Sequence, residues 1–145
     1  MIDQTRPDAY FEVPATHEAL RAIGPWLDET LRIHVPGHVD ELKGRLELAI
    51  HELCINVVEH AYDGRPGVIR FDVWFEPERI TIRLVDDGEE FDGSGVRIPD
   101  PANPTVRGYG LMIVAQLVDD MRYERTAEHN VWSIATQYGT SRANP

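Results

Sequence analysis

The sequence predicts an α/β chain of the α+β kind: a two-layer sandwich in which a mixed, largely antiparallel sheet packs on helices. Three observations carry that expectation. Residues 39–62 repeat apolar side chains at helical spacing, with Leu42, Leu46, Ala49, Ile50, Leu53 and Val57 forming one stripe. Residues 68–75 and 79–85 alternate apolar with polar and are separated by Glu76-Pro77-Glu78, which reads as an antiparallel hairpin. A short apolar helical run at 111–118 is followed by two more strand-like runs, 122–126 and 130–138. Helices and strands thus come in blocks, and the two layers must cover each other's apolar faces.

The elements follow in order. Tyr10-Phe11-Glu12-Val13 is a short strand stopped by Pro14. Thr16 is placed to cap a helix over 17–33, in which Leu20, Ile23, Leu27 and Leu31 recur near helical spacing. Gly24-Pro25 interrupts that helix and predicts a kink. Pro36-Gly37 ends it, and the helix over 39–62 begins. Asp63-Gly64-Arg65-Pro66-Gly67 is a turn cluster before the first hairpin, whose Ile80, Ile82 and Leu84 point toward the helices. Residues 86–107 form a long polar stretch rich in Gly, Pro and Asp, and loops of that length are usually lids or disordered. The tail at 139–145 is expected to fray.

At 145 residues the chain has the size of a single domain over 1–145. Its net charge of -11 argues against direct binding to nucleic acid or a membrane surface, since both are polyanions that need basic patches. An acidic chain can still hold phosphates through backbone amides and helix N-termini. No apolar run reaches the roughly 20 residues that span a bilayer, and the N-terminus has no secretory pattern, so a cytoplasmic location is expected. Cys54 is the single cysteine and reads as a small buried hydrophobe.

Three segments carry candidate chemistry. In the segment 51–62, Glu52, Asn56 and His60 stand at i, i+4 and i+8, which puts them on one face of a regular helix, at the edge of the apolar stripe. A buried polar group without a partner costs about 1–3 kcal/mol, so either the fold or a ligand must satisfy them. In the second segment Asp86 ends an apolar strand and Gly88 follows. A carboxylate there can accept from an exocyclic amine such as adenine N6, and the glycine permits close approach; ordinary turns use the same residues. In the third, Gly108-Tyr109-Gly110 opens a helix, where free amides favour an anion; a loop closing onto a helix has the same appearance.

Taken in order, E-L-x-x-N-x-x-x-H-A-Y, D-x-G-x-x-F-D and G-x-G-L-x-I-V resemble the N, G1 and G2 boxes of the GHKL ATPase/kinase superfamily. More narrowly they resemble the bacterial anti-sigma-factor serine-protein kinases, over roughly residues 9–138. The resemblance implies ATP and Mg²⁺ as cofactors, with a lid at 92–107. It implies Asn56 as the Mg²⁺ ligand and Glu52 as the catalytic base toward a serine hydroxyl. Asp86 would recognise adenine with Gly88 beside it, and Gly108 and Gly110 would cradle phosphates with Tyr109 and Leu111 in the same segment. Arg107 would pair with a phosphate or stand exposed on the lid, and His60 would contact phosphate or support the helix. The implied partners are an anti-anti-sigma protein of the STAS type and a sigma factor, with a homodimer as the assembly. This chain has Glu90 where many of the superfamily carry a second glycine, and its one lysine, Lys43, is not in the lid.

Other readings are weaker. His51-Glu52 opens like a zinc-protease motif, but position 55 is Ile, and no Walker glycine loop precedes Lys43. A nucleotide-binding regulatory module without transfer activity is the competing function. A histidine-kinase ATPase domain separated from its partner domain is the third.

Overall fold

The computed structural model describes residues 6–91 and 110–139. The expected lid at 92–107 lies outside the described residues, as do Arg107, Gly108 and Tyr109. The elements are β1 (Ala9–Pro14), α1 (Ile23–His34), α2 (Val39–Asn56), β2 (Val68–Glu76), β3 (Arg79–Asp86), α3 (Gly110–Leu117), β4 (Asp120–Thr126) and β5 (His129–Gln137). Short 3₁₀ turns at Ala19–Ala22 and Pro36–His38 precede α1 and α2, and a π turn at Val57–Ala61 follows α2.

The strands form one sheet in the order β1-β2-β3-β5-β4, and every neighbouring pair is antiparallel. The expected sandwich of sheet and helices is therefore present, but the sheet is not mixed. The connection through α3 carries the chain to the outer edge, where β4 runs in the same sense as β3. The β4–β5 hairpin then returns the chain between them, so β3 and β4, which share a direction, never touch.

Period-two alternation decides what the sheet shows to the helices. Ile69, Phe71 and Val73 of β2, Ile80, Ile82 and Leu84 of β3, and Trp132 and Ile134 of β5 are all buried on that face. They meet Leu42, Leu46, Ala49, Ile50, Leu53 and Val57, the stripe anticipated on the second helix. Each fully buried aliphatic side chain contributes about 1.5–3 kcal/mol. α2 packs against both α1 and α3 and so forms the centre of the helical layer. No helix among the described residues is long and apolar enough to cross a membrane.

Local chemistry sets the element ends. The Thr16 hydroxyl accepts from the Ala19 amide at 3.1 Å, which makes it the cap anticipated for the first helical segment. Gly24-Pro25 does not kink a running helix. The α-helix starts only at Ile23, so Pro25 sits in its first turn, where a missing N–H breaks no helical bond. Trp26 stacks on Phe11 at 4.8 Å, and Leu27 is fully buried, so this part of the first helix is core rather than a free docking face.

The second helix also departs from a continuous α-helix to Tyr62. It stays α-helical through Asn56 and then widens, with the Tyr62 amide donating to the Val57 carbonyl at 2.9 Å, an i→i+5 bond. Such π turns inside helices recur at functional sites. Here the widening leaves the Ala61 carbonyl free to accept from the Glu89 amide at 2.8 Å and from Arg65 at 3.0 Å. The Arg65 guanidinium also bonds the Tyr62 carbonyl at 2.8 Å, a cation closing a helix C-terminus.

Candidate functional site

The candidate residues meet at one end of the molecule, where α2 ends, β3 ends and α3 begins. Asp86 is there because it extends an inward-facing series, Ile80, Ile82, Leu84 and Asp86, by one more step of the same period. The alternation that buries the leucine also buries the carboxylate, leaving Asp86 2% exposed. Its Oδ1 accepts from the Gly88 amide at 2.8 Å and from Asn130 Nδ2 at 2.8 Å. Removal from water pushes its pKa above the ordinary aspartate value. The two hydrogen bonds and the Arg125 charge oppose that rise without cancelling it.

Gly88 is a glycine for a steric reason. A Cβ there would stand 2.5 Å from the Ala61 carbonyl oxygen and 2.7 Å from the Ala61 Cβ. The turn after β3 thus lies directly on the π turn that ends the second helix. Gly88→Ala is expected to force these backbones apart and to destabilise the fold by about 1–3 kcal/mol. A urea melt checks this, and an unchanged midpoint would show that the contact yields freely.

Tyr62 ties the same elements together. Its hydroxyl accepts from the Asp87 amide at 2.9 Å and donates to the Val68 carbonyl at 2.7 Å. The ring lies where a Cβ on Gly67 would stand, 2.2 Å from the nearest ring carbon, so the turn cluster needs glycine there. The Asp87 carboxylate pairs with His129 at the start of β5.

Glu52 is partly exposed, and its carboxylate lies against the start of α3, with Oε1 2.8 Å from where a Cβ on Gly110 would be. Asn56, one turn on, is also partly exposed. Neither side chain has a hydrogen-bond partner among the described residues. His60 is exposed. The π turn begins after Asn56, so His60 stands beyond the α-helical segment that carries the other two. Leu111 is 8% exposed and belongs to the core, which leaves its backbone rather than its side chain for a ligand. Cys54 is fully buried, and burial pushes its thiol pKa far up, in keeping with an inert core residue.

The structure adds residues that the sequence reading missed. Asn130 pairs in register with Asp86 and is 1% exposed. Its Oδ1 accepts from the Tyr123 hydroxyl at 2.5 Å and from Arg125 at 3.2 Å. Arg125 also donates to the Gly88 carbonyl at 2.8 Å. The available signal was the inward phase of β5, in which Asn130 precedes Trp132 and Ile134 by even steps. It becomes informative only once β5 is known to lie beside β3. Phe91, Leu111, Met121, Tyr123 and Trp132 wall a largely apolar hollow beside these residues.

No three His, Cys, Asp or Glu side chains cluster for a metal among the described residues. An all-protein cation cage is therefore not what these residues build. An amide oxygen beside a phosphate-bearing ligand suits Mg²⁺, which keeps waters and takes few protein ligands, and Asn56, whose side chain has no partner among the described residues, fits that role.

The comparisons agree with this architecture. The family model described as a histidine kinase-like ATPase domain matches residues 13–135. Two proteins named serine-protein kinase RsbW, from Bacillus cereus strains AH187 and G9842, are 31% and 32% identical to this chain over 85 residues. Each alignment covers 53% of this chain and 53% of the relative, so the chain spans about half the length of the curated relatives it matches. A structure of the RsbU and RsbW domains of a Mycobacterium tuberculosis protein aligns over 90% of this chain and 33% of its own, with TM-score 0.58 and 20% identity. The blue-light activated histidine kinase of Erythrobacter litoralis EL346 aligns over 81% of this chain and 41% of its own, with TM-score 0.51 and 21% identity. At those identities the two structures speak to the fold alone. The family match runs from β1 into β5 and contains Glu52, Asn56, Asp86 and Gly110, so this chain belongs to the histidine kinase-like ATPase domain family.

Proposed function

We propose that this chain is an ATP- and Mg²⁺-dependent serine-protein kinase that acts on an anti-anti-sigma protein of the STAS type. In the same reading it is an anti-sigma factor that sequesters a sigma factor and works as a homodimer. The observation that carries the proposal is the placement of Glu52. Its carboxylate lies against the first residue of α3. Asn56 stands one turn further on, and the buried Asp86 ends the neighbouring strand. The RsbW-named relatives and the order of the three motifs support the narrower assignment.

The roles follow from chemistry. Asp86 accepts from the exocyclic amine of adenine. Asn56 would hold Mg²⁺ through its amide oxygen, and the ion would supply charge neutralisation at the phosphates. The start of α3, at Gly110 and Leu111, offers backbone N–H groups to phosphate oxygens, and Gly108, Tyr109 and Arg107, which precede it in the chain, would add further amides and a cation. Glu52 takes the proton from the serine hydroxyl as its oxygen bonds to the γ-phosphorus. The bond from that phosphorus to the bridging oxygen breaks, and ADP leaves. His60 supports the end of the helix.

Mass spectrometry of the chain mixed with ATP, Mg²⁺ and a cognate STAS partner tests this. The expected result is a phosphoserine on the partner. Bound ATP with no transfer would leave a nucleotide-binding regulatory module instead.

A further inference from the structure

The loop that leaves β3 is held from one side by a single hairpin. Tyr123 and Arg125 of β4 and Asn130 of β5 all face inward on the β4–β5 hairpin and reach the segment from Asp86 to Phe91. The Phe91 amide donates to the Tyr123 hydroxyl at 2.9 Å, and that hydroxyl donates to Asn130 Oδ1. Asn130 Nδ2 then donates to Asp86 Oδ1 at 2.8 Å and to the Glu89 carbonyl at 2.8 Å.

The direction of each bond is forced. Tyr123 has one proton, and because its oxygen already accepts from an amide it spends that proton on Asn130. Arg125 can only donate, and it too faces Asn130 Oδ1. The amide of Asn130 is therefore locked with its NH₂ toward Asp86 and cannot turn over. A donor locked on Oδ1 favours the ionised form of Asp86 against the burial that disfavours it, and leaves Oδ2 as an acceptor without a bonding partner among the described residues.

We infer that Tyr123, Arg125 and Asn130 form a positioning clamp that fixes Asp86 as an obligate acceptor and thereby selects a base bearing an exocyclic amine over one bearing an oxo group. The inference rests on the nucleotide reading above. Adenine offers N6–H at that edge, whereas guanine offers O6, which would face a carboxylate with no proton between them. Selectivity of this kind is large because the rejected ligand leaves a buried polar group unpaired.

Burial also raises the pKa of Asp86 above the ordinary aspartate value. Around it stand Arg125 from β4, the neutral Cys54 thiol from α2, Tyr62 from the π turn, and Asp87 with His129 beside it. Arg125 is the cation among these neighbours, and Asn130 is the neutral donor. Asn130→Asp keeps the shape but replaces that donor by a second carboxyl. Two carboxyls in hydrogen-bond contact share a proton, so one apparent pKa of the pair rises and protonation reaches to higher pH than in the wild type.

The test is calorimetric titration of the whole chain with ATP and with GTP, each with Mg²⁺, across the neutral pH range. The wild type is expected to prefer ATP with little pH dependence. Asn130→Asp is expected to weaken ATP binding by roughly 10- to 150-fold, to recover affinity as pH rises, and to narrow the ATP:GTP ratio. Tyr123→Phe, which removes only the hydroxyl, is expected to lower ATP affinity by roughly 2- to 12-fold and to narrow the ratio in the same direction. Circular dichroism identifies which variants are folded. If Asn130→Asp does not fold, Tyr123→Phe decides alone. A folded variant that loses ATP and GTP affinity equally, with a flat pH profile, would overturn the clamp while leaving nucleotide binding intact. A wild type that binds neither nucleotide would overturn the nucleotide reading itself, and the clamp with it.

Discussion

Glu52→Ala is expected to reduce phosphate transfer to the protein substrate about 10²–10⁴-fold while ATP still binds. The expectation follows from position. The carboxylate stands at the mouth between α2 and α3, partly exposed, against the start of the helix whose amides would face phosphate. It stands on α2 against α3 whereas Asp86 ends β3, so removing it should leave base recognition intact. Single-turnover transfer assays beside ATP titrations separate the two effects. A fall in kcat with an unchanged ATP Kd is the signature of a group acting in the chemical step. Transfer at the wild-type rate would remove Glu52 from the mechanism. Normal regulation of the partner protein by a transfer-dead variant would favour the binding-module reading. Glu52→Gln is the companion variant, because it keeps the shape against Gly110 and removes only the ability to take a proton.

Asp86→Asn is expected to separate stability from binding. The folded-state pKa of Asp86 is raised, chiefly by burial, above its value in the unfolded chain. The native state therefore holds the proton more tightly than the unfolded state does. Stability from this group is present below the unfolded pKa, falls as pH rises from there through the folded pKa, and stays lost above it. At neutral pH the ionised group is thus a net burden on the fold. An asparagine keeps one oxygen to accept from Gly88 and Asn130, and it removes the buried charge. The variant should melt at or above the wild-type temperature near neutrality, with the advantage shrinking as pH falls toward the ordinary aspartate range. Its ATP affinity should fall by about 30- to 150-fold, equivalent to about 2–3 kcal/mol, because an NH₂ now meets the amine of the base. A melt that drops sharply at neutral pH would show that the charge itself supports the fold. Undiminished ATP binding would remove Asp86 from base recognition.

Such a trade is common where a function needs a group the fold would prefer to do without. Gly88 belongs to the same compromise. It lets the turn bearing Asp86 rest on the Ala61 carbonyl, which the π turn has released from the helix. The end of the second helix, the end of β3 and the β4–β5 hairpin are therefore parts of one small structure around a single carboxylate.

Much of this was legible in the residues themselves. The stripe from Leu42 to Val57 marked a helix because an apolar face repeating every 3.6 residues has one way to be buried. The β2–β3 hairpin followed from alternation around Glu76-Pro77-Glu78, and Pro77 with Glu78 at φ 62° makes that turn. The inward phase of Ile80, Ile82 and Leu84 already pointed Asp86 into the molecule. These are local patterns, and local patterns are what a sequence displays.

Contacts between segments distant in the chain were decided only by the tertiary structure. The widening of the helix after Asn56 has no composition of its own. It arises where the helix end meets the turn after β3, and it places His60 beyond the regular helix that carries Glu52 and Asn56. The antiparallel β3–β5 pairing is equally invisible locally, because it depends on where α3 sets the chain down at the sheet edge. That pairing brings Asn130 from 44 residues away into contact with Asp86, with Tyr123 and Arg125 beside it. The sequence by itself determined which residues were inward and which were chemically able. The tertiary structure determined which of them touch, because hydrogen bonds between distant segments depend on the packed geometry of strands and helices rather than on neighbouring residues.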